Sequence, residues 1–282
     1  MAKVVLITGA SSGMGKATAK RLIKDGHVVY GAARRVDNMR ELATLGGRTL
    51  KLDVTDPDDV ESAVRTIVQE NGCLDVLVNN AGYSVYGSVE EVSDADAKRQ
   101  FDVNLFGAAA MVRAVLPIMR QQGFGHILNV TSVAGKIGWP LGAWYHASKH
   151  ALEGWSDSLR MEVKQFGIDV TIVEPGAINS EFADVMNGPL IERSQGGPYD
   201  SLMQGILQAN KSAFKGRGTQ PEIIAHVISR ALSKKRPKTR YAAGKAARLV
   251  LFLRGCLSDR AFDRFVLGQL NVDEATYESR KD

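Results

Sequence analysis

Cysteine is scarce in this 282-residue chain: Cys73 and Cys256 are the only two, and no motif spacing relates them. That excludes a disulfide framework or a cysteine-based zinc site and fits a reducing compartment. Aromatic residues make up only 7% of the chain. No apolar run approaches the roughly 18 residues of a membrane-spanning helix. The apolar stretch from Val4 to Ile7 is too short for the core of a secretory signal. The expected location is the cytoplasm. Acids are in slight deficit, 31 against 36 Lys and Arg, which leaves a net charge of +5. The excess is not evenly spread. Between Lys234 and Arg264 ten basic residues face two acids, a net +8, and everything else sums to −3. A nucleic-acid surface would rest on that stretch alone. The stretch lacks interleaved stacking aromatics, so no nucleic-acid partner is expected. No His, Cys and carboxylate cluster has metal-ligand spacing, so no metal is expected.

What is present is ordinary in bulk, with 44% hydrophobic and 24% charged residues, as in a soluble globular domain. The glycines are more telling. Residues 3–8 read as a buried parallel strand. Gly9, Gly13 and Gly15 follow in one short turn, then a helical pattern to Asp25 stopped by Gly26. Strand, Gly-rich turn and helix form the front of a dinucleotide-binding unit. There the backbone approaches a pyrophosphate and the helix N-terminus supplies free N–H groups. The spacing is G-x-x-x-G-x-G rather than the commoner G-x-G-x-x-G. Such turns also occur without any ligand.

Residues 27–33 read as a second strand. In sites that prefer NAD, its end carries an acid for the ribose hydroxyls. Here Arg34 and Arg35 stand there instead. Two guanidiniums would bind a 2′-phosphate, so the expected cofactor is NADP(H). Further strands are expected at 49–54, 74–78, 125–130, 168–174 and 239–243. Helices are expected between them, including one from Pro57 capped by Asp56 and a long one at 95–121 bent by Pro117. Strands alternating with helices predict a parallel sheet covered on both faces. Asn187-Gly188-Pro189 and Gln195-Gly196-Gly197-Pro198 read as loops. Residues 245–268 read as a basic, amphipathic, mostly helical stretch followed by a polar tail.

Tyr145 and Lys149 are four residues apart in a helical pattern, hence one turn apart on one face. A phenol has a pKa near 10. Acid–base work near neutrality needs a fall of roughly three units, about 4 kcal/mol of differential stabilisation. An ammonium one turn away in a partly dry cleft, helped by a bound cationic cofactor ring, is a source for it. The pair alone could also be a chance spacing on a solvated helix. Hydride transfer to a carbonyl builds charge on oxygen, which Ser132 and the Tyr145 hydroxyl could stabilise by donating two hydrogen bonds. His146, adjacent to Tyr145, points about 100° away on a helix and reads as a neighbour rather than a catalyst.

Together, Thr8 through Gly15, Asn79-Asn80-Ala81-Gly82, Asn104, Ser132, Tyr145 with Lys149, and Pro175-Gly176 resemble the short-chain dehydrogenase/reductase family in its Tyr-x-x-x-Lys branch. The likeness extends over about residues 2–245. It implies an α/β, single-domain Rossmann-type doubly wound parallel sheet with helices on both faces and a helical C-terminal extension. Residues 1–245 would be the NADP-binding catalytic domain, with a substrate lid at about 181–220, and 246–282 the extension and tail. The resemblance makes Tyr145 the acid/base and Ser132 the second donor. Lys149 would tune Tyr145 and hold the nicotinamide ribose, and Asn104 would hold a relay water. Ser11, Ser12, Met14, Val54, Asn80, Ala81, Gly82, Pro175, Gly176, Ile178 and Ser180 would join the glycines, Arg34, Arg35 and Asp53 around the cofactor. Asp53 would meet the adenine. Ser180 stands where the family usually has Thr, and the hydroxyl is kept.

The resemblance extends to hydroxysteroid- and retinol-dehydrogenase-like members, and so to a largely apolar carbonyl or alcohol substrate. Phe182, Met186, Leu190, Ile191, Tyr199 and Met203 are expected to line one wall, with Val133, Trp139 and Trp144 on another. A homodimer is expected through the helices holding Asn104 and Tyr145. Two other readings stay open: a cofactor-sensing protein without turnover, and a weak membrane-surface contact through Leu249–Leu253 and the flanking Arg248 and Arg254.

Overall fold

A computed structural model describes residues 1–179, 182–214 and 219–270. Seven strands form one sheet: β1 (Val4–Thr8), β2 (Val28–Ala33), β3 (Arg48–Lys51), β4 (Val76–Asn79), β5 (Gly125–Val130), β6 (Ile168–Pro175) and β7 (Arg240–Ala243). Their spatial order is β3-β2-β1-β4-β5-β6-β7, and every pairing is parallel. The chain winds outward from β1 in one direction, then returns to β4 and winds in the other. The crevice where the two directions part, beyond the carboxyl ends of β1 and β4, is where such sheets bind ligands.

Period-2 alternation divides the core into two layers. Val4 and Leu6 face one side with Leu77, Ile127, Met111 and Val115. Val5 and Ile7 face the other with Leu22, Val76, Val78, Ile224 and Ile228. Helices α3 (Pro57–Asn71), α5 (Ala108–Gln122) and α6 (Ala143–Val163) contribute to the first layer. Helices α1 (Gly13–Lys24), α2 (Arg40–Thr44) and α9 (Pro221–Leu232) contribute to the second. The caps follow the sequence: the Asp56 carboxylate accepts from the Asp58 and Asp59 N–H groups at 2.9 and 3.3 Å. Gly26 follows α1 with φ +85°.

Three expectations are corrected. The long helix runs from α4 (Asp94–Phe101) through α5, but it leaves α geometry in a π turn at Asp102–Gly107, around Asn104; Pro117 sits inside α5. This helix is also long and apolar enough to span a bilayer by length and composition. Its Met111, Val115 and Met119 are buried against the sheet, which makes it a core helix. Third, Asn187-Gly188-Pro189 does not form a loop but lies inside α7 (Phe182–Ser194). Fully buried Leu190 and nearly buried Met186 pack there with Met203 of α8 (Asp200–Phe214) and with Tyr86 and Tyr145, and that packing overrides local turn propensity. Residues 195–198 are irregular as expected. Strand β3 stops at Lys51, so Asp53 lies in the loop beyond it.

The C-terminal stretch forms α10 (Ala247–Cys256) and α11 (Asp259–Gly268). Phe262 and Val266 bury against Ile137, with Val250 packed beside them. The polar tail from Asn271 lies outside the described residues.

Candidate active site

The site begins where β1 ends. The Thr8 hydroxyl accepts from the N–H groups of Asn80 and Ala81 at 3.1 and 3.0 Å, and Asn80 Nδ2 donates to the carbonyls of Thr8 and Gly9 at 3.0 and 3.2 Å. These bonds lock the two loops of the crevice together. Gly9 and Gly13 have φ of +67° and +52°, which side chains other than glycine resist. At Gly15 a Cβ would stand 2.3 Å from the Gly9 carbonyl oxygen and 2.4 Å from Asn80 Nδ2, so only glycine fits. Helix α1 starts at Gly13 with no acidic residue in its first turn and no side chain capping it. Its N-terminal N–H groups and dipole are open to an anion.

Around this turn lies a cleft of about 460 Å³. It is lined by Gly9, Ser11, Ser12, Gly13, Met14, Arg34, Arg35, Asp53, Val54, Asn80, Ala81 and Gly82. Arg34, 64% exposed at its side chain, stands 3.9 Å from the Asp53 carboxylate. Arg35 donates to the Ser12 hydroxyl at 3.4 Å. Burial works to raise the Asp53 pKa, but two bonds from Thr55, then Arg34 and Arg99, hold it below the ordinary value. Arg99, on α4, lines the same cleft and gives it a third guanidinium. Sequence reasoning missed it, because nothing local to position 99 marks it; only the fold brings α4 near the Asp53 loop.

The chemical groups lie at the inner end. Tyr145 and Lys149 on α6 are 7% and 6% exposed, and Asn104 in the π turn is 1% exposed. Ser132, just past β5, hydrogen-bonds Tyr145. Its hydroxyl also accepts from the Ala134 N–H at 3.1 Å. The Lys149 ammonium donates to the Val130 carbonyl at 3.1 Å. Asn104 brackets Tyr83, accepting from its N–H at 3.1 Å and donating to its carbonyl at 3.0 Å, and it donates to Ser148 at 3.1 Å. A Cβ added at Gly82 would lie 3.1 Å from Asn104 Oδ1 and 3.6 Å from Lys149 Nζ. Both groups therefore lie beside Gly82, which lines the cleft.

Burial works against the expected fall in the Tyr145 pKa. Burial pushes the phenol up to about 12, against the lowering effect of the Ser132 hydrogen bond. Burial also pulls the Lys149 ammonium down to about 8, opposed by Glu153. Desolvation is the largest cause at both groups. At neutral pH the phenol therefore holds its proton. His146 is pulled down to about 4 by burial, and its Nδ1 meets the carbonyls of Ala134 and Ile137 at 3.1 and 2.5 Å. It straps the loop after Ser132 to α6 as a neutral ring.

A second, apolar cavity of about 280 Å³ opens beside Ser132 and Tyr145. Pro175, Gly176 and Ile178 border it, together with Met14, Tyr86, Val133, Trp139, Met186 and Ile206. Of the expected lid wall, Met186 lines this cavity. Leu190 and Met203 are fully buried and fasten the lid to Tyr86 and Tyr145, with Ile191 and Tyr199 packed against them. Trp144 belongs to a small cluster with Val85, Val92 and Ala97 instead. Ser180 and the Phe182 side chain lie outside the described residues. A wall not expected comes from the C-terminal stretch, where Ala247 and Val250 of α10 line the cavity. Period 3.6 marked that stretch as amphipathic but could not say what its inner face meets.

A family model described as short chain dehydrogenase matches residues 3–188. The chain is 37% identical over 243 residues to a 3-ketodihydrosphingosine reductase of Bacteroides thetaiotaomicron, covering 86% of this chain and 88% of that protein. It is 33% identical over 269 residues to the uncharacterized oxidoreductase YbbO of Escherichia coli, covering 95% of each. Among solved structures it resembles a short-chain dehydrogenase from Streptomyces avermitilis, with a TM-score of 0.80, 30% identity and full coverage of both chains. It also resembles a serine dehydrogenase in a closed form complexed with NADP+, with a TM-score of 0.74 and 27% identity, covering 86% of this chain and 95% of that one.

Proposed function

The chain belongs to the short-chain dehydrogenase/reductase family, and from that premise we propose that it is an NADPH-dependent reductase of largely apolar ketones of lipid-like character. One observation carries the reading. The hydrogen-bonded Ser132–Tyr145 pair lines an apolar cavity that shares Met14 with a glycine- and arginine-lined cleft. The cleft fits a dinucleotide. Gly9 and Gly13 keep the backbone low for the pyrophosphate, and Arg34, Arg35 and Arg99 stand where a 2′-phosphate needs cations. The dinucleotide supplies a hydride when bound. The protein supplies the rest. The Ser132 and Tyr145 hydroxyls donate to the carbonyl oxygen as charge builds on it. Tyr145 then delivers its proton, and the alcohol leaves. A phenol near 12 is protonated throughout the neutral range, the state in which reduction begins. Lys149 lies one turn behind with its ammonium beside Gly82, near where a ribose would sit.

The apolar lining favours an apolar substrate at roughly 25 cal/mol per Å² buried. The name of the Bacteroides relative, a reductase of 3-ketodihydrosphingosine, supports a ketone of that kind. The test is kcat/KM with NADPH across a series of ketones of increasing chain length. It should rise with length; a flat series, or a preference for small charged ketones, overturns the substrate assignment. NADPH binding without turnover of any ketone would favour a cofactor-sensing protein instead.

A second observation favours contact with a membrane surface. Leu249 and Phe252, on the outward face of α10, are 60% and 66% exposed, while Ala247 and Val250 on its inner face line the cavity. An interfacial helix has this form. We further infer a homodimer through the Asp94–Gln122 helix and α6, which carry exposed Phe106 and Met161.

A further inference from the structure

Residues 145, 149 and 153 follow one another at single-turn intervals along α6, so Tyr145, Lys149 and Glu153 lie along one face. All three are buried, Glu153 to 3% exposure. The partners of this carboxylate are specific. One oxygen accepts from the Thr131 hydroxyl at 2.6 Å. The other accepts from the Lys136 ammonium at 2.9 Å and from Arg240 Nε at 3.1 Å. Thr131 immediately precedes Ser132, and Lys136 follows it by four positions. Between them Gly135 is pressed against the same side chain: a Cβ there would stand 2.8 Å from Glu153 Cγ. Arg240, on β7, ties the group to the sheet edge and also meets Asp157 at 2.5 Å and Glu174 at 3.6 Å. A buried ion cluster is often no more stabilising than apolar residues of the same shape, so stability alone does not explain it.

We propose that Glu153 is a positioning residue for the reduction, an inference that rests on the reductase reading of the site. It holds the Ser132 loop at a fixed distance from α6 and stands as a fixed negative charge one turn behind Lys149. The groups that face Lys149 are Tyr145 and Glu153 from its own helix, Asn104 across Gly82, and the Val130 carbonyl of β5. Those that face Glu153 are Thr131 and Lys136 beyond β5, Glu174 of β6, Arg240 of β7, and Asp157 one turn on. Lys149 already sits near 8 with Glu153 opposing the effect of burial. Removing the Glu153 charge lets the ammonium titrate lower. Removing the Lys136 charge leaves Glu153 less neutralised and raises it.

The experiment compares Glu153→Gln, which keeps an acceptor oxygen for Thr131, with Lys136→Gln, whose parent side chain is 35% exposed. Each NADPH-bound protein is titrated by NMR of ¹³Cε-labelled lysine, with Lys149→Arg assigning the signal, and kcat is measured against pH. Glu153→Gln should move the Lys149 titration and the alkaline limb of kcat down by about half a unit or more. It should lower kcat about tenfold or more and leave NADPH affinity unchanged at pH 6.5. Lys136→Gln should move both upward. If both variants fold and neither titration moves, the proposal is wrong. If Glu153→Gln does not fold, the direction of the Lys136→Gln shift decides. Shifts as expected without ketone turnover by the parent protein would remove the reductase reading and leave the electrostatic role. Turnover with unmoved titrations would do the reverse.

Discussion

The hydroxyls of Ser132 and Tyr145 are hydrogen-bonded to each other, although one follows a strand and the other rides on a helix. A carbonyl oxygen entering between them would take a hydrogen bond from each hydroxyl in place of the bond they make to each other. Tyr145→Phe removes the proton donor while keeping the ring. It should lower kcat by about 10²–10⁴-fold and leave the NADPH dissociation constant within about twofold, because nothing in the cleft changes. Stopped-flow reduction and fluorescence titration of NADPH check the two halves. Equal losses of both would place Tyr145 in cofactor binding instead.

Arg34→Ala and Arg35→Ala should shift the cofactor preference. Each guanidinium stands at the mouth of the cleft where a 2′-phosphate would lie. A hydrogen bond to a charged group is worth about 1.5–3 kcal/mol, so the double variant should lose about a hundredfold or more in NADPH affinity and little in NADH affinity. An unchanged ratio of kcat/KM for the two cofactors would contradict the assignment.

Gly15→Ala tests the phosphate turn. The new methyl would collide with the Gly9 carbonyl oxygen and Asn80 Nδ2, both fixed by the bonds that join β1 to β4. Overpacking of this kind costs about 1–3 kcal/mol. Both thermal stability and NADPH affinity should fall. A variant that keeps its Tm and its affinity would show that the turn yields easily.

Acid should weaken the fold through His126. This ring is buried in β5, accepts or donates at 2.9 Å to Thr171, and is pulled by burial to about 3 from an ordinary 6.5. The unfolded chain takes up its proton near pH 6.5, whereas the folded chain resists until near 3. The neutral ring's stability is complete above 6.5 and is lost as pH falls through that window. At pH 5 the loss is about 2 kcal/mol. His126→Gln should make the fall in Tm between pH 7 and 5 shallower; an identical slope would assign acid sensitivity elsewhere.

Leu249→Ser with Phe252→Ser should reduce co-sedimentation with anionic vesicles and leave turnover of a short, soluble ketone unchanged, since neither side chain lines the cavity. Unchanged sedimentation, or none in the parent protein, would remove the membrane contact.

Much of this site is legible in the sequence because its elements are local. Gly125–Val130 reads as a buried run and forms a strand with those bounds. Tyr145 and Lys149 need only a helix to align them. The parts that could not be read depend on distant packing. Arg99 reaches the cofactor cleft because the fold brings α4 near the Asp53 loop, and Ala247 and Val250 reach the substrate cavity because α10 folds back beside Ser132. The desolvation of Tyr145 is a distant effect of the same kind. A neighbouring cation is visible in a sequence, and the depth of burial that raises the phenol is not.

The π turn at Asp102–Gly107 works as a vernier on the longest helix. A π bulge carries one surplus residue, and one residue is about 100° of rotation. The stretch before it and the stretch after it are thus out of phase by residue number. Arg99 can look toward the dinucleotide cleft while Met111, Val115 and Met119 look into the sheet. Deleting a single residue between positions 102 and 107 would remove the surplus and leave both halves facing as they do, but it would straighten the turn that holds Asn104 against Tyr83 and Ser148. A frame-preserving deletion of one codon there should do more harm than any substitution at an exposed position of the same turn.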